Sequence, residues 1–256
     1  MTRHLLVIGA QRSGSTYLWS LLDRHPQVTM ARPVRPEPKV FLDDEVVRRG
    51  RDWYVATWFP HATTEEVLGE KSTSYIEHPQ AADRARRVLG DDVQAVAILR
   101  DPLQRAVSNW AFSADNGLEQ RPLAQALTEN LEGERAWDVG TTSVSPYAYL
   151  ERGRYVDFLE PWWEALGDRL SVVFLAELLA SPDVATDLYR RLGVDAAAVQ
   201  PDTDPVNASR EPAPDLPAEL RERLRDYFGD SDRRLARRLG RPLPWAQDEE
   251  RVHEHG

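Results

Sequence analysis

The chain has 256 residues, 41% hydrophobic and 29% charged, with a formal net charge of −10 and no cysteine. Such a length and balance suit a soluble globular chain of about one domain with a real core around one sheet. The acidic charge argues against a general nucleic-acid or anionic-membrane binder, whose affinity rests on clustered Lys and Arg. Without cysteine there are no disulfides, thiolate nucleophiles or cysteine metal sites. The first buried strand is expected to begin near His4, which would leave no room for a signal peptide, and no apolar run reaches the length of a membrane span. The expectation is a cytoplasmic protein, with one domain over 1–246 and a charged, frayed tail over 247–256.

Leu5 to Ile8 reads as a strand that runs into Gly9-Ala10-Gln11-Arg12-Ser13-Gly14-Ser15-Thr16, and a helix follows from Thr16 to Arg24. Strand, glycine-bracketed loop and helix form the context of a phosphate cradle, in which loop N–H groups and the helix dipole face an anion. An ATPase loop carries Lys where Ser15 stands, whereas here the cation is Arg12. The cradle therefore suits a nucleotide other than one whose γ-phosphate is transferred.

His25-Pro26 stops the first helix. Val28 to Met30 is a short strand, and the three prolines between Ala31 and Pro38 enforce a shaped loop. Within it Glu37 and Lys39 flank the apolar Val40-Phe41-Leu42. Read alone, this is a surface loop with solvated charges. Trp53, Tyr54, Trp58 and Phe59 make an aromatic cluster, with Tyr54 and Trp58 at helical spacing, suited chiefly to core packing. Val67 to Ser72 is a short strand ending in Glu70-Lys71-Ser72. Pro79 opens an amphipathic helix through Leu89, with Ala81, Ala85, Val88 and Leu89 inward and Arg84, Arg86 and Arg87 outward.

Val93 to Leu99 is a buried strand whose unbroken apolar character suits a parallel sheet. It ends at Arg100-Asp101-Pro102, and a helix from Leu103 to Phe112 carries Ser108. In open α/β sheets ligands bind beyond the carboxyl ends of strands, and Gly9–Thr16, Glu70-Lys71-Ser72 and Arg100 all stand at such ends. The alternative for Arg100 is an ion pair with Asp101 or a helix cap.

Asp115 to Pro146 is the least regular region, a mobile substrate cover or an ordinary surface loop, with a helix from Pro122 to about Leu131. Helices are expected over Tyr147–Leu166, near Ala185–Leu192 and over Pro217–Phe228. Leu170–Leu175 is a strand and Pro201–Pro217 a loop. His253 and His255 are too isolated for a metal site.

Taken in order, these pieces resemble the sulfotransferases that use 3′-phosphoadenosine 5′-phosphosulfate (PAPS), in the branch of heparan sulfate sulfotransferases and bacterial carbohydrate or natural-product enzymes. The similarity rests on Gly9–Thr16, Glu37–Phe41, Asp52-Trp53-Tyr54 before Trp58-Phe59-Pro60, Glu70-Lys71-Ser72 and Arg100 through Ser108. Ser145–Tyr155, Val172–Leu175 and Val206–Arg210 add a weaker match. The resemblance implies an α/β, P-loop-type three-layer fold with a central, mainly parallel sheet flanked by helices.

It also implies sulfonate transfer from PAPS, leaving PAP, to a hydroxyl or less readily an amine of a small-molecule or saccharide acceptor, with no metal. Gln11, Arg12, Ser13, Gly14, Ser15 and Thr16 would hold the 5′-phosphosulfate, and Arg100 and Ser108 the 3′-phosphate. Glu37 would be the general base, with Arg12 and Lys71 stabilising charge on the leaving group and the sulfonate. The family commonly carries Lys at Arg12 and an aromatic residue at Val40. His61 is a rival base. A nucleoside or metabolite kinase and a catalytically silent nucleotide-binding protein are the competing readings.

Overall fold

The computed structural model describes residues 2–138, 145–200 and 215–246. The readings made at 140–143, Val206–Arg210 and the tail with His253 and His255 lie outside the described residues. The chain divides into two compact units, Met1–Leu99 with Phe158–Asn207, and Arg100–Asp157 with Ala208–Gly256.

The first unit is built on five parallel strands: β1 (Arg3–Gly9), β2 (Val28–Met30), β3 (Val67–Lys71), β4 (Gln94–Leu99) and β5 (Leu170–Phe174). They are ordered β2-β3-β1-β4-β5. Leu5 registers with Gly69 on one side and Gln94 on the other. Each strand is almost wholly buried, as a parallel sheet covered on both faces requires. Helix α1 (Ser15–Asp23) brings Leu18, Leu21 and Leu22 into a core with Leu5, Val7, Val96 and Ile98.

After β2, the chain passes a 3₁₀ turn at Val40–Leu42, a short helix α2 (Asp44–Val47) and helix α3 (Gly50–Trp58). Helix α4 (Gln80–Leu89) buries Ala81, Ala82, Ala85 and Leu89, while Val88 is only half-buried. Arg84 corrects the expected outward face. Its guanidinium reaches the carbonyls of Phe41 (3.2 Å) and Leu42 (3.0 Å) and pairs with Asp44 at 2.7 Å. Arg84 thus satisfies two carbonyls of the Val40–Leu42 turn.

The second unit begins with helix α5 (Pro102–Asp115), capped by Asp101, whose carboxylate accepts from Leu103 N at 2.9 Å. The same carboxylate forks onto Arg225 at 2.7 and 2.8 Å. Helix α6 (Leu123–Asn130) fits the expected helix of the irregular stretch. Around it, the buried Glu119 accepts from Tyr149 Oη at 2.9 Å and pairs with Arg121 at 2.6 Å. Burial alone would raise the Glu119 carboxyl; the Arg121 donors and Tyr149 outweigh it and hold it down at about 2. Asn130 Oδ1 accepts from the backbone N–H groups of Tyr149 and Leu150, both at 2.9 Å. Two long-range anchors thus tie this stretch to the Tyr149 turn.

The helix expected over Tyr147–Leu166 starts only at Tyr155, as α7 (Tyr155–Leu166), preceded by a 3₁₀ turn at Glu151–Gly153. A Cβ on Gly153 would lie 2.6 Å from the Phe228 ring and 2.9 Å from Pro102 Cβ. Close approach, not helix propensity, decides that residue. Two helices follow β5, the unforeseen α8 (Leu175–Ala180) and α9 (Pro182–Leu192). The last, α10 (Ala218–Leu239), runs well past Phe228, because Leu220, Leu224, Phe228, Ser231 and Leu235 continue one buried stripe.

Candidate active site

Because the sheet is parallel, β1, β2 and β3 all release the chain at the same edge. Three backbone bonds stitch that edge: Ala10 N to Ile98 O (2.8 Å), Ser72 N to Val7 O (3.1 Å) and Ala31 N to Gly69 O (2.7 Å). The glycine-bracketed loop after β1, the proline loop after β2 and the Ser72-Thr73 turn after β3 therefore converge.

In the first loop Arg12 has φ 65° and Gly14 φ 91°. A Cβ on Gly14 would stand 2.6 Å from Leu175 Cδ1, so glycine is required by both backbone and space. Left-handed residues next to a helix start make a concave run of N–H groups that suits an anion. Helix α1 has no side-chain cap, leaving its first-turn N–H groups available to a ligand. Ser13 is fully buried and its Oγ has no hydrogen-bond partner among the described residues. An orphaned buried hydroxyl in an anion nest fits a phosphate or sulfonate oxygen. Gln11, Arg12 and Thr16 are half-buried, and Ser15 is buried at the helix start.

The proline loop delivers Glu37 to the end of β3. Glu37 Oε1 pairs with Lys71 Nζ at 2.6 Å, and Oε2 accepts from Thr73 N at 2.9 Å. Thr73 Oγ1 lies 3.0 Å from Oε2 and 3.3 Å from Oε1. Lys71 is buried, while Glu37 keeps 16% of its side-chain surface exposed, so the carboxylate is held from one side and open on the other. This corrects the plain reading of Glu37 as a solvated surface charge. The loop is fixed again at Lys39 N, which donates to Ser72 Oγ at 2.9 Å, and at Phe41 N, which donates to Tyr75 Oη at 3.2 Å. Lys39 itself sits at φ 52°. Arg12 and Lys39 are the two described non-glycine residues with positive φ, and they lie in the two loops that carry the predicted chemistry.

Beneath this turn, Glu70 is fully buried. Its carboxyl faces the hydroxyls of Tyr75, Tyr54 and Ser72 without closing a hydrogen bond of good geometry. Burial raises it to about 7; the three hydroxyls oppose that rise and the charge of Glu37 adds to it. His61 is accounted for structurally: its Nε2 meets Met30 O at 3.1 Å and its ring stacks on Phe59. Tyr54 is core, packed against Phe41 and Phe59, whereas Trp53 lies under the Arg49 guanidinium at the surface. Trp110, in the second unit, donates from Nε1 to Arg121 O at 2.9 Å.

Arg100 follows Leu99 at the end of β4. Within its own unit its carbonyl accepts from Tyr155 Oη at 2.8 Å, and its Nε donates to Gln104 Oε1 at 3.2 Å. Burial lowers the guanidinium from its ordinary value, opposed by Tyr155 and Asp101. Asp101 caps α5 and pairs with Arg225, so the helix-cap role belongs to Asp101. Ser108 is buried on α5. Among the described residues no group of His, Cys, Asp or Glu is arranged to hold a metal ion. None of the described helices is long and apolar enough to cross a membrane.

Known proteins resemble this chain over the stretch that carries the site. A sequence model described as the sulfotransferase family matches residues 5–96, the stretch holding the loop, Glu37 and Lys71. The bifunctional heparan sulfate N-deacetylase/N-sulfotransferase 1 of Caenorhabditis briggsae is 36% identical over 172 residues, covering 62% of this chain and 19% of that protein. Over residues 5–96 the chain is similar to the sulfotransferase family. Another relative is the heparan sulfate glucosamine 3-O-sulfotransferase 5 of Mus musculus, 26% identical over 183 residues, or 68% of this chain and 50% of that protein. The chain thus spans about a fifth of the length of the first relative and half of the second. The crystal structure of a sulfotransferase from Alicyclobacillus acidocaldarius covers 95% of this chain and 98% of its own, with a TM-score of 0.76 at 22% identity. That likeness shows a shared fold.

Proposed function

We propose that the protein transfers a sulfonate from PAPS to a hydroxyl, or less readily an amine, of a small-molecule or saccharide acceptor. The observation that carries this reading is Glu37, held by Lys71 and Thr73 beside an anion loop whose Ser13 hydroxyl is buried and unpartnered. PAPS supplies the sulfonate on a phosphate leaving group. Ser13, the first N–H groups of α1 and Arg12 hold the phosphosulfate, and Arg12 with Lys71 neutralises charge that builds on the bridging oxygen and sulfonate. Glu37 takes the proton of an acceptor placed in line with the breaking sulfur–oxygen bond. Positioning and charge stabilisation supply most of the rate, much as in phosphoryl transfer. The named relatives act at nitrogen in one case and at oxygen in the other, and both act on saccharides; a saccharide acceptor agrees with them.

Arg100 and Ser108 are assigned to the 3′-phosphate, which separates PAPS from ATP. Ser15, standing where an ATPase has Lys, argues in the same direction. Calorimetry with PAP and with ATP tests both points. Tight PAP binding with weak ATP binding is expected; the reverse order overturns the reading in favour of a kinase. Arg100→Ala is expected to weaken PAP at least tenfold more than adenosine 5′-phosphosulfate, as loss of a charge-assisted phosphate contact requires. Equal weakening of the two ligands would remove Arg100 from 3′-phosphate recognition.

A further inference from the structure

We propose that Thr73 is a positioning residue for the base, its hydroxyl acting as the reversible hydrogen-bond partner of Glu37 during transfer. The inference rests on the sulfotransferase reading above. Glu37 has three donors: Lys71 Nζ on Oε1, Thr73 N on Oε2, and Thr73 Oγ1 between the two oxygens. A carboxylate offers about four lone-pair sites. One side chain and one backbone group fix the two oxygens, the hydroxyl bridges them, and the exposed side keeps a lone pair for the acceptor.

The three donors differ in what they tolerate once Glu37 has done its work. An ammonium and an amide N–H only donate. A threonine hydroxyl both donates and accepts, and its hydrogen rotates to suit. In the transfer step the acceptor oxygen or nitrogen forms its bond to sulfur, and the bond from sulfur to the phosphate oxygen breaks with its electron pair passing to the leaving phosphate. The acceptor's proton moves to Glu37, which becomes a neutral carboxyl. The proton arrives on the exposed lone pair, and when the carboxyl O–H rotates from there toward the turn a partner that only donates opposes it. Thr73 Oγ1 then turns its own hydrogen away and accepts, and the order reverses when the O–H turns back and Glu37 releases the proton to water. The backbone N–H of the same residue holds Oε2 through the cycle, so the base does not swing as its protonation changes.

Nothing in the sequence around Thr73 announces this role, since a hydroxyl in a turn after a strand usually serves local backbone. Here its side chain instead crosses to a residue 36 positions away.

The test uses the full chain, labelled PAPS, and a panel of glucosamine, N-acetylglucosamine and 2-naphthol as acceptors. Thr73→Val keeps shape and backbone N–H but removes the hydroxyl, and it is expected to lower kcat about tenfold to a hundredfold. Acceptor KM and PAP affinity stay within about twofold. Thr73→Ser is expected to recover most of the rate. If Thr73→Val fails to fold, as read by thermal melting, Thr73→Ala replaces it in the same comparison. Glu37→Gln combined with Thr73→Val is expected to be no slower than Glu37→Gln alone, because Thr73 works through Glu37. A wild type that transfers label with a Thr73→Val variant equally fast, or a double variant slowed by the full product of the single effects, overturns the inference and leaves the sulfotransferase reading standing. A wild type that neither binds PAP nor transfers label overturns that reading, and the inference with it.

Discussion

Replacing Glu37 by Gln is expected to reduce sulfonate transfer by about 10²–10⁴-fold, the usual range for removing a positioned general base. That loss corresponds to about 3–5 kcal/mol of barrier. PAP binding is expected to survive, because the anion loop owes its shape to Gly14 and its packing on Leu175 rather than to Glu37. The substitution is nearly isosteric. An amide oxygen still accepts from Lys71 Nζ or Thr73 N, so the proline loop keeps its anchors at Ser72 and Tyr75. Lys71, buried and deprived of its counter-charge, becomes the group at risk, and a modest fall in thermal stability is expected from it. Labelled-PAPS turnover and PAP calorimetry on one preparation separate these effects. Turnover at the wild-type rate would remove Glu37 from the mechanism; loss of PAP binding along with turnover would mean that the substitution disturbed the loop.

The parts of the site made by backbone were the legible ones. Gly9 and Gly14 at their spacing, a hydroxyl run and a following helix name an anion cradle because those features are its cause. Buried parallel strands ending in polar residues point to the candidate edge for a similar reason. Glu37 was different. From its neighbours it is a solvated loop charge, and it entered as a candidate only through the family resemblance. Its pairing with Lys71 depends on how three prolines and an αL residue at Lys39 fold the loop back onto β3, which no local pattern encodes. Arg84 and Thr73 were missed for a related reason: each reaches more than 30 positions along the chain to its partner. Amphipathic periodicity reports which face meets a core, not that an arginine on the other face will close over two loop carbonyls. Gly153 likewise is required because Phe228 and Pro102 approach it, a contact made by distant sequence.

Glu70 gives the second large effect, on stability rather than rate. Its carboxyl is raised from the ordinary 4.5 to about 7, chiefly by burial. Between those values the folded chain binds the Glu70 proton more often than the unfolded chain does, so the free energy of unfolding falls as pH rises. The contribution is complete below about pH 4.5 and is lost as pH climbs through 7. Its full size is about 3 kcal/mol, since each tenfold change in proton affinity is worth about 1.4 kcal/mol. Glu70→Gln keeps the shape and cannot ionise. In urea unfolding at pH 5 and pH 8, the wild type is expected to lose stability relative to the variant by a margin approaching that figure. Other groups that titrate in this window are common to both proteins and cancel in the comparison. Parallel pH slopes for the two proteins would mean that Glu70 is ionised in the folded state throughout, with the hydroxyls of Tyr75, Tyr54 and Ser72 offsetting the cost of its burial. The near-neutral titration also ties this buried group to the site above it. Loss of the Glu70 proton puts a second negative charge beneath Glu37, while Tyr75 and Ser72 can donate to the carboxylate and still accept from Phe41 N and Lys39 N. The amides of Lys39 and Phe41 are therefore expected to stay protected from exchange at pH 8 in the wild type as in Glu70→Gln, so that the pH effect is read in global stability rather than in the proline loop.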